Sequence, residues 1–279
     1  MPGIDAHQHF WKYNPARDAW IDDTMTPIRK DFTPSDLQPV LKANGIDGCV
    51  IVQSDQSEAE NEFQLTNAEN NDFIKGIVGW IDLRAENAED RLTYYKEFKK
   101  MKGFRHVLQS EAQRDFMLRA DFGKGISLLK KYGFTYDILI LADQLKYIPE
   151  FVKKFPEQSF IIDHLGKPEI KKNNIREWQK NIKIVANYRN VHCKISGMIT
   201  EADWSNWNVR ELIPYIDTVV EAFGIHRIMF GSDWPVCLLA GTYEEVCGVV
   251  RNYFSSFTQD EQDLFFGNNA VRFYNLDKA

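Results

Sequence analysis

Short apolar runs alternate with segments of helical period along this chain. The runs occupy residues 3–6, 49–53, 76–82, 103–106, 135–140, 159–163, 191–196 and 227–231. Each has the length of a strand, and most are apolar without alternation, the pattern of strands covered on both faces. Helix signals lie between them. Thr33-Pro34-Ser35-Asp36 supplies a capping hydroxyl, a first-turn proline and an acid three residues on, and Leu37, Val40 and Leu41 follow at helical spacing. Gly45 can end that helix in a left-handed conformation. Ile175, Trp178, Ile182 and Val185 form one apolar stripe, and Leu212, Ile216, Val219 and Phe223 another. Thr242 with Glu245, and Thr258 with Glu261, read as two further capping boxes.

Eight strand–helix units in 279 residues predict a parallel sheet closed into a (β/α)8 barrel, an α/β TIM barrel formed as a single domain over residues 1–279. A doubly wound open sheet is disfavoured because no Gly-rich turn follows the first run. Three segments exceed a simple connection: 10–31 with Trp11, Tyr13 and Trp20, 107–125, and 197–210 with Trp204 and Trp207. All three follow a strand, which in a barrel puts them over the C-terminal mouth. Their tryptophans can stack on a sugar-like ring or pack the loops onto the rim.

Composition narrows the partners. The formal net charge is −6, so the chain lacks the cationic footprint that nucleic acids or anionic membranes require. Its apolar runs are too short to span a bilayer. Cys49, Cys193, Cys237 and Cys247 show no close pair spacing and read as reduced thiols. No basic start with an apolar run precedes the first strand, so the expected location is cytoplasmic. A small molecule is the expected partner.

Chemistry-bearing residues gather at predicted strand ends. His7 and His9 in Asp5-Ala6-His7-Gln8-His9 share a face of the first strand and make half of a divalent-metal site. Asp163-His164-Leu165-Gly166-Lys167-Pro168 ends an apolar run: Asp163 can orient a neighbouring ring nitrogen, and His164 can act as ligand or acid/base group. Gly231-Ser232-Asp233-Trp234-Pro235 delivers Asp233, a carboxylate able to take a proton from water. Arg105 and His106 end the fourth run and Lys194 stands in the seventh, where each can bind a carbonyl oxygen or hydroxyls. His192 and His226 read as structural.

These five motifs, with Phe10-Trp11 after the first and Cys193-Lys194-Ile195-Ser196-Gly197 in the seventh run, resemble the lactonase-type branch of the amidohydrolase superfamily, from residue 4 to Tyr274. The resemblance implies a carboxylic ester hydrolase acting on a sugar-derived lactone such as L-fucono- or L-rhamnonolactone. It places His7, His9, His164 and Asp233 around the reacting centre. The chemistry of lactone opening then gives the expected roles: Asp233 as general base, His164 and His106 in catalysis, and Arg105, Lys194, Trp11, Trp204 and Trp207 on the substrate. It further implies one divalent metal ion, zinc, on His7, His9 and Asp233 with His164 as a further ligand. The fifth run begins Thr135-Tyr136-Asp137 and offers no histidine, which argues against two metals, and lactonases of this branch that work without metal keep a metal-free route open. Two rival readings keep the barrel: a decarboxylase of an aromatic or unsaturated acid, and a sugar-binding barrel without turnover.

Overall fold

The computed structural model describes residues 3–277. Eight strands, β1 (Ile4–Gln8), β2 (Gly48–Val52), β3 (Ile74–Gly79), β4 (Met101–His106), β5 (Thr135–Ile138), β6 (Phe160–Ile162), β7 (Val191–Ile195) and β8 (Ile228–Phe230), pair in parallel in sequence order. The backbone just beyond β8 closes the ring onto β1. Asp233 N donates to His7 O at 2.8 Å, and His9 N donates to Trp234 O at 2.7 Å. The closure therefore runs through two of the predicted motifs, and it carries Asp233 to the histidines.

Every predicted run contains a strand, and the boundaries differ for physical reasons. The third begins earlier than expected and stops at Gly79. There the Asn61 side chain takes over both backbone groups of Trp80, accepting from its N–H at 2.9 Å and donating to its carbonyl at 2.7 Å. The expected stripes face inward: Trp178, Ile182 and Val185 are buried on helix Arg176–Val185, with Ile175 at its edge, and Leu212, Ile216, Val219 and Phe223 on helix Val209–Phe223. Thr242 and Thr258 cap their helices, with Glu245 and Glu261 accepting from the two threonine N–H groups at 2.6 and 2.9 Å. Gly45 is left-handed, as its place after the first helix required.

Two of the long loops are shorter than predicted. Helix Ala120–Tyr132 takes the end of 107–125. In 197–210 a short helix, Met198–Glu201, forms after the strand, and the Asn208 side chain accepts from Arg210 N at 3.1 Å to start the next helix. The 10–31 loop is tied down where Trp11 pairs with Phe32 in an antiparallel bridge.

The core has two parts. One fills the layer between strands and helices. The other lies within the barrel, where Ile4, Val50, Val52, Val78, Ile161 and Met229 pack against Ala270, Tyr274 and Leu276 from the chain's last helix and the turn after it. That segment plugs the end at which the strands begin, and Lys102, early in β4, donates to the carbonyl of Asn275 at 2.9 Å. All four cysteines are buried and unpaired. Among the described residues no helix is long and apolar enough to cross a membrane.

Candidate active site

At the opposite end, three imidazoles converge on one carboxylate oxygen. Nε2 of His7, His9 and His164 stand 3.8, 3.3 and 3.8 Å from Asp233 Oδ1. The remaining ring nitrogens are committed elsewhere. His7 Nδ1 is 3.2 Å from Asp163 Oδ1, His9 Nδ1 is 2.6 Å from the Val52 carbonyl, and His164 Nδ1 is 2.9 Å from Ser196 Oγ. A carbonyl only accepts, so His9 Nδ1 carries the proton, and the Nε2 of the neutral ring points a lone pair at Asp233. Two acceptors facing each other at that distance call for a proton or a cation between them. Ligand atoms of His7, His164 and Asp233 all lie within 4.8 Å of one another. This is a nitrogen and oxygen donor set suited to a divalent transition ion.

Local backbone geometry aims these side chains. His164 and Asp233 have φ of 54° and 59°, left-handed values that turn the chain out of the strand direction at the mouth. Such positions cost on the order of 1–3 kcal/mol and persist where surrounding structure holds them. Glycines give the imidazoles room: a Cβ on Gly197 would lie 2.6 Å from His164 Nδ1, and one on Gly231 would lie 2.6 Å from His7 Cβ.

Beneath His7, inside the barrel, is a buried ionic network. Lys194 Nζ lies 2.6 Å from Asp137 Oδ2, 3.0 Å from Asp163 Oδ1 and 3.2 Å from His7 Nδ1. Arg105 Nη1 donates to Asp163 Oδ2 at 3.0 Å and approaches His7 Nε2 at 3.4 Å, and its other terminal nitrogen donates to the Gln53 carbonyl. Tyr274 OH donates to Asp137 Oδ2 at 2.7 Å. Lys194, expected from sequence to touch substrate, is instead 0% exposed and enclosed by these groups, and Arg105 is nearly as buried. Both reach the site through His7 and Asp163. Sequence reasoning did not single out Asp137 or Tyr274; the signal available was an acid inside an apolar strand run.

Burial dominates the electrostatics. It drives the His7 and His164 imidazoles well below their ordinary range, keeping them neutral and available as donors of a lone pair. Burial pushes the Asp233 carboxyl up, but attraction to the facing His164 and His9 rings, which acts whenever one of them holds a proton toward it, outweighs burial and sets the group below the usual carboxylate range. Asp163 is likewise held well down against burial by Lys194, His7 and Arg105. Asp137, in the same network, is pushed by burial up to about 6 despite Lys194.

Burial also pushes up Asp5 on β1, to about 6, although it accepts hydrogen bonds from Ser232 N, His7 N and Tyr243 OH. The folded protein thus holds this proton more tightly than the unfolded chain, so stability is lost as pH rises from about 4 to about 6. Asparagine does not ionise. Asp5→Asn is therefore expected to gain about 2–3 kcal/mol relative to the parent between pH 4 and pH 7. Urea unfolding midpoints at the two pH values check this; a flat difference refutes it.

The remaining predicted residues lie around the cluster. Trp11 is buried with its ring 6.4 Å from that of His9, and its indole N–H donates to the Lys30 carbonyl. Trp204 and Trp207 are half-buried in the loop after β7, their N–H groups donating to Thr200 O and Ala240 O. His106 is turned to one side. Its Nε2 is 2.6 Å from Glu111 Oε1, Trp80 Nε1 approaches its Nδ1, and Phe116 stacks on its ring. It shares no hydrogen bond with the three imidazoles or with Asp233.

Residues 4–276 match the family model described as Amidohydrolase. The chain belongs to that family. This amidohydrolase is 35% identical to an L-fucono-1,5-lactonase of Burkholderia multivorans, over 98% of this chain and 96% of the relative. It is 31% identical to an L-fucono-1,5-lactonase of Burkholderia ambifaria, over 99% and 96%. A crystal structure of an amidohydrolase from Burkholderia multivorans with bound zinc superposes with a TM-score of 0.96 at 35% identity, covering 99% of this chain and all of that one.

Proposed function

We propose that this amidohydrolase opens the ester ring of a sugar-derived lactone of the L-fucono-1,5-lactone kind, with water activated at Asp233. The observation that carries this reading is the convergence of three Nε2 atoms on Asp233 Oδ1, each ring fixed from behind by an acceptor or hydroxyl. Full-length similarity to two L-fucono-1,5-lactonases supports the substrate class.

The donor set of His7, His164 and Asp233 fits a divalent ion, zinc in this reading, and His9, whose Nε2 faces Asp233 Oδ1 at 3.3 Å, would be a further ligand. Bound there, the ion would supply Lewis acidity that polarises an ester carbonyl. The chain's own groups do the rest. Asp233, ionised at neutral pH, takes a proton from the attacking water, and the same carboxyl returns it to the departing ring oxygen. Asp163 and the Val52 carbonyl hold the His7 and His9 rings in the tautomer that leaves Nε2 free. Trp204 and Trp207, half-buried in the loop after β7, are the walls against which a partly apolar deoxysugar ring packs. Trp11, expected from sequence on the substrate, is instead buried against Trp20 and Phe32 and secures the 10–31 loop beside His9. Arg105 and Lys194 act from below, by holding Asp163.

A pH-indicator assay over a panel of aldonolactones, with and without chelator, tests the reading. Proton release above the spontaneous rate is expected on six-membered deoxysugar lactones. Chelation is expected to lower the rate at least tenfold, with zinc restoring it. Inactivity across the panel, together with carbon dioxide release from hydroxybenzoates, would replace hydrolysis by decarboxylation.

A further inference from the structure

The plug that closes the far end of the barrel also reaches the site. Tyr274 is fully enclosed, and its hydroxyl donates to Asp137 Oδ2 at 2.7 Å. The same oxygen takes the Lys194 ammonium at 2.6 Å. Lys194 Nζ in turn stands 3.0 Å from Asp163 Oδ1 and 3.2 Å from His7 Nδ1. Both Lys194 and Asp163 therefore compete for His7 Nδ1, and the outcome decides the tautomer. If Nδ1 donates to Asp163, Nε2 keeps its lone pair for an ion. If Nδ1 instead accepts from Lys194, the proton of the neutral ring moves to Nε2 and that ligand is lost.

We propose that Tyr274 is a positioning residue for His7: by fixing Asp137 where it binds the Lys194 ammonium at 2.6 Å, it keeps the lysine from closing on His7 Nδ1, 3.2 Å away, and leaves that nitrogen to Asp163. The chain of contacts runs from the turn after the last helix, across β5 and β7, to β1. The Lys194 ammonium also lies 5.5 Å from the Tyr274 ring centre, so the tyrosine holds Lys194 by its face as well as through Asp137. This inference rests on the reading of the histidine and aspartate cluster as a metal centre.

Tyr274→Phe keeps the ring over Lys194 and removes only the hydroxyl. In the full-length protein, zinc affinity measured by competition with a chromogenic chelator is expected to fall about tenfold. Lactone kcat is expected to fall by a similar factor with KM within about twofold, since the hydroxyl touches no substrate. Leu276→Ala removes packing from the same plug without touching Asp137, and its zinc affinity is expected to match the parent. The inference is overturned if Tyr274→Phe binds zinc as the parent does, if Leu276→Ala loosens zinc equally, or if the parent takes up no zinc. A parent that binds zinc but opens no lactone refutes the lactonase reading and leaves this inference to be decided by the two zinc titrations.

Discussion

Asp233→Asn is expected to lower kcat for lactone opening about 10³-fold, within the range that a general base contributes. The amide cannot take up the water proton. The fold is expected to be unchanged, because asparagine tolerates the left-handed backbone that Asp233 adopts, and the barrel closure there uses its main-chain N–H. Circular dichroism and the thermal midpoint should stay near those of the parent, and zinc content measured on the same sample separates a lost base from a lost ligand. Steady-state rates on the best lactone of the panel provide the check. Activity within tenfold of the parent would mean that water is activated elsewhere, and the assignment of Asp233 would fall.

The largest effect on stability is expected inside the barrel. Lys194→Met leaves Asp137 and Asp163 buried without their shared cation. Breaking a buried pair by removing one partner costs about 3–5 kcal/mol, against a total of about 5–15 kcal/mol for a native protein. Urea denaturation should show most of that loss. Adding Asp137→Asn should recover part of it, because Asp137 is the carboxylate left without a cation, whereas Asp163 keeps Arg105. A loss under about 1 kcal/mol in the single variant would show that the network does not depend on the lysine. An apolar interior of the same volume would be at least as stable. The network is better understood as the device that orients His7 than as a source of stability.

Much of this architecture is legible in the chain, and particular residues show why. The capping pairs Thr242 with Glu245 and Thr258 with Glu261 lie three residues apart, so the helix starts they make are local events. The strand runs are apolar on both faces, which only a layered parallel sheet explains. The motif residues His7, His9, His164 and Asp233 stood out because each follows an apolar run into a turn, and chain order in a barrel brings such positions to one mouth. His106 shows the limit. Its place at a strand end was clear, but its partners Glu111 and Phe116, from the loop after β4, and Trp80, from the end of neighbouring β3, turn the ring aside.

Lys194 marks the same limit from the other direction. A lysine in an apolar strand could face substrate, solvent or the barrel interior, and strand periodicity does not choose between the last two layers of a closed sheet. Its partners are Asp137 on β5, His7 on β1 and Asp163 just after β6. The sequence by itself determined the eight-unit barrel, the capped helix starts at Thr242 and Thr258 and the motifs at strand ends that carry the chemistry, because those depend on spacings of a few residues. Only the tertiary structure decided which nitrogen of each histidine faces Asp233, which charges lie beneath His7, and that Tyr274 joins them, because those depend on contacts between residues far apart in the chain that carry no local pattern.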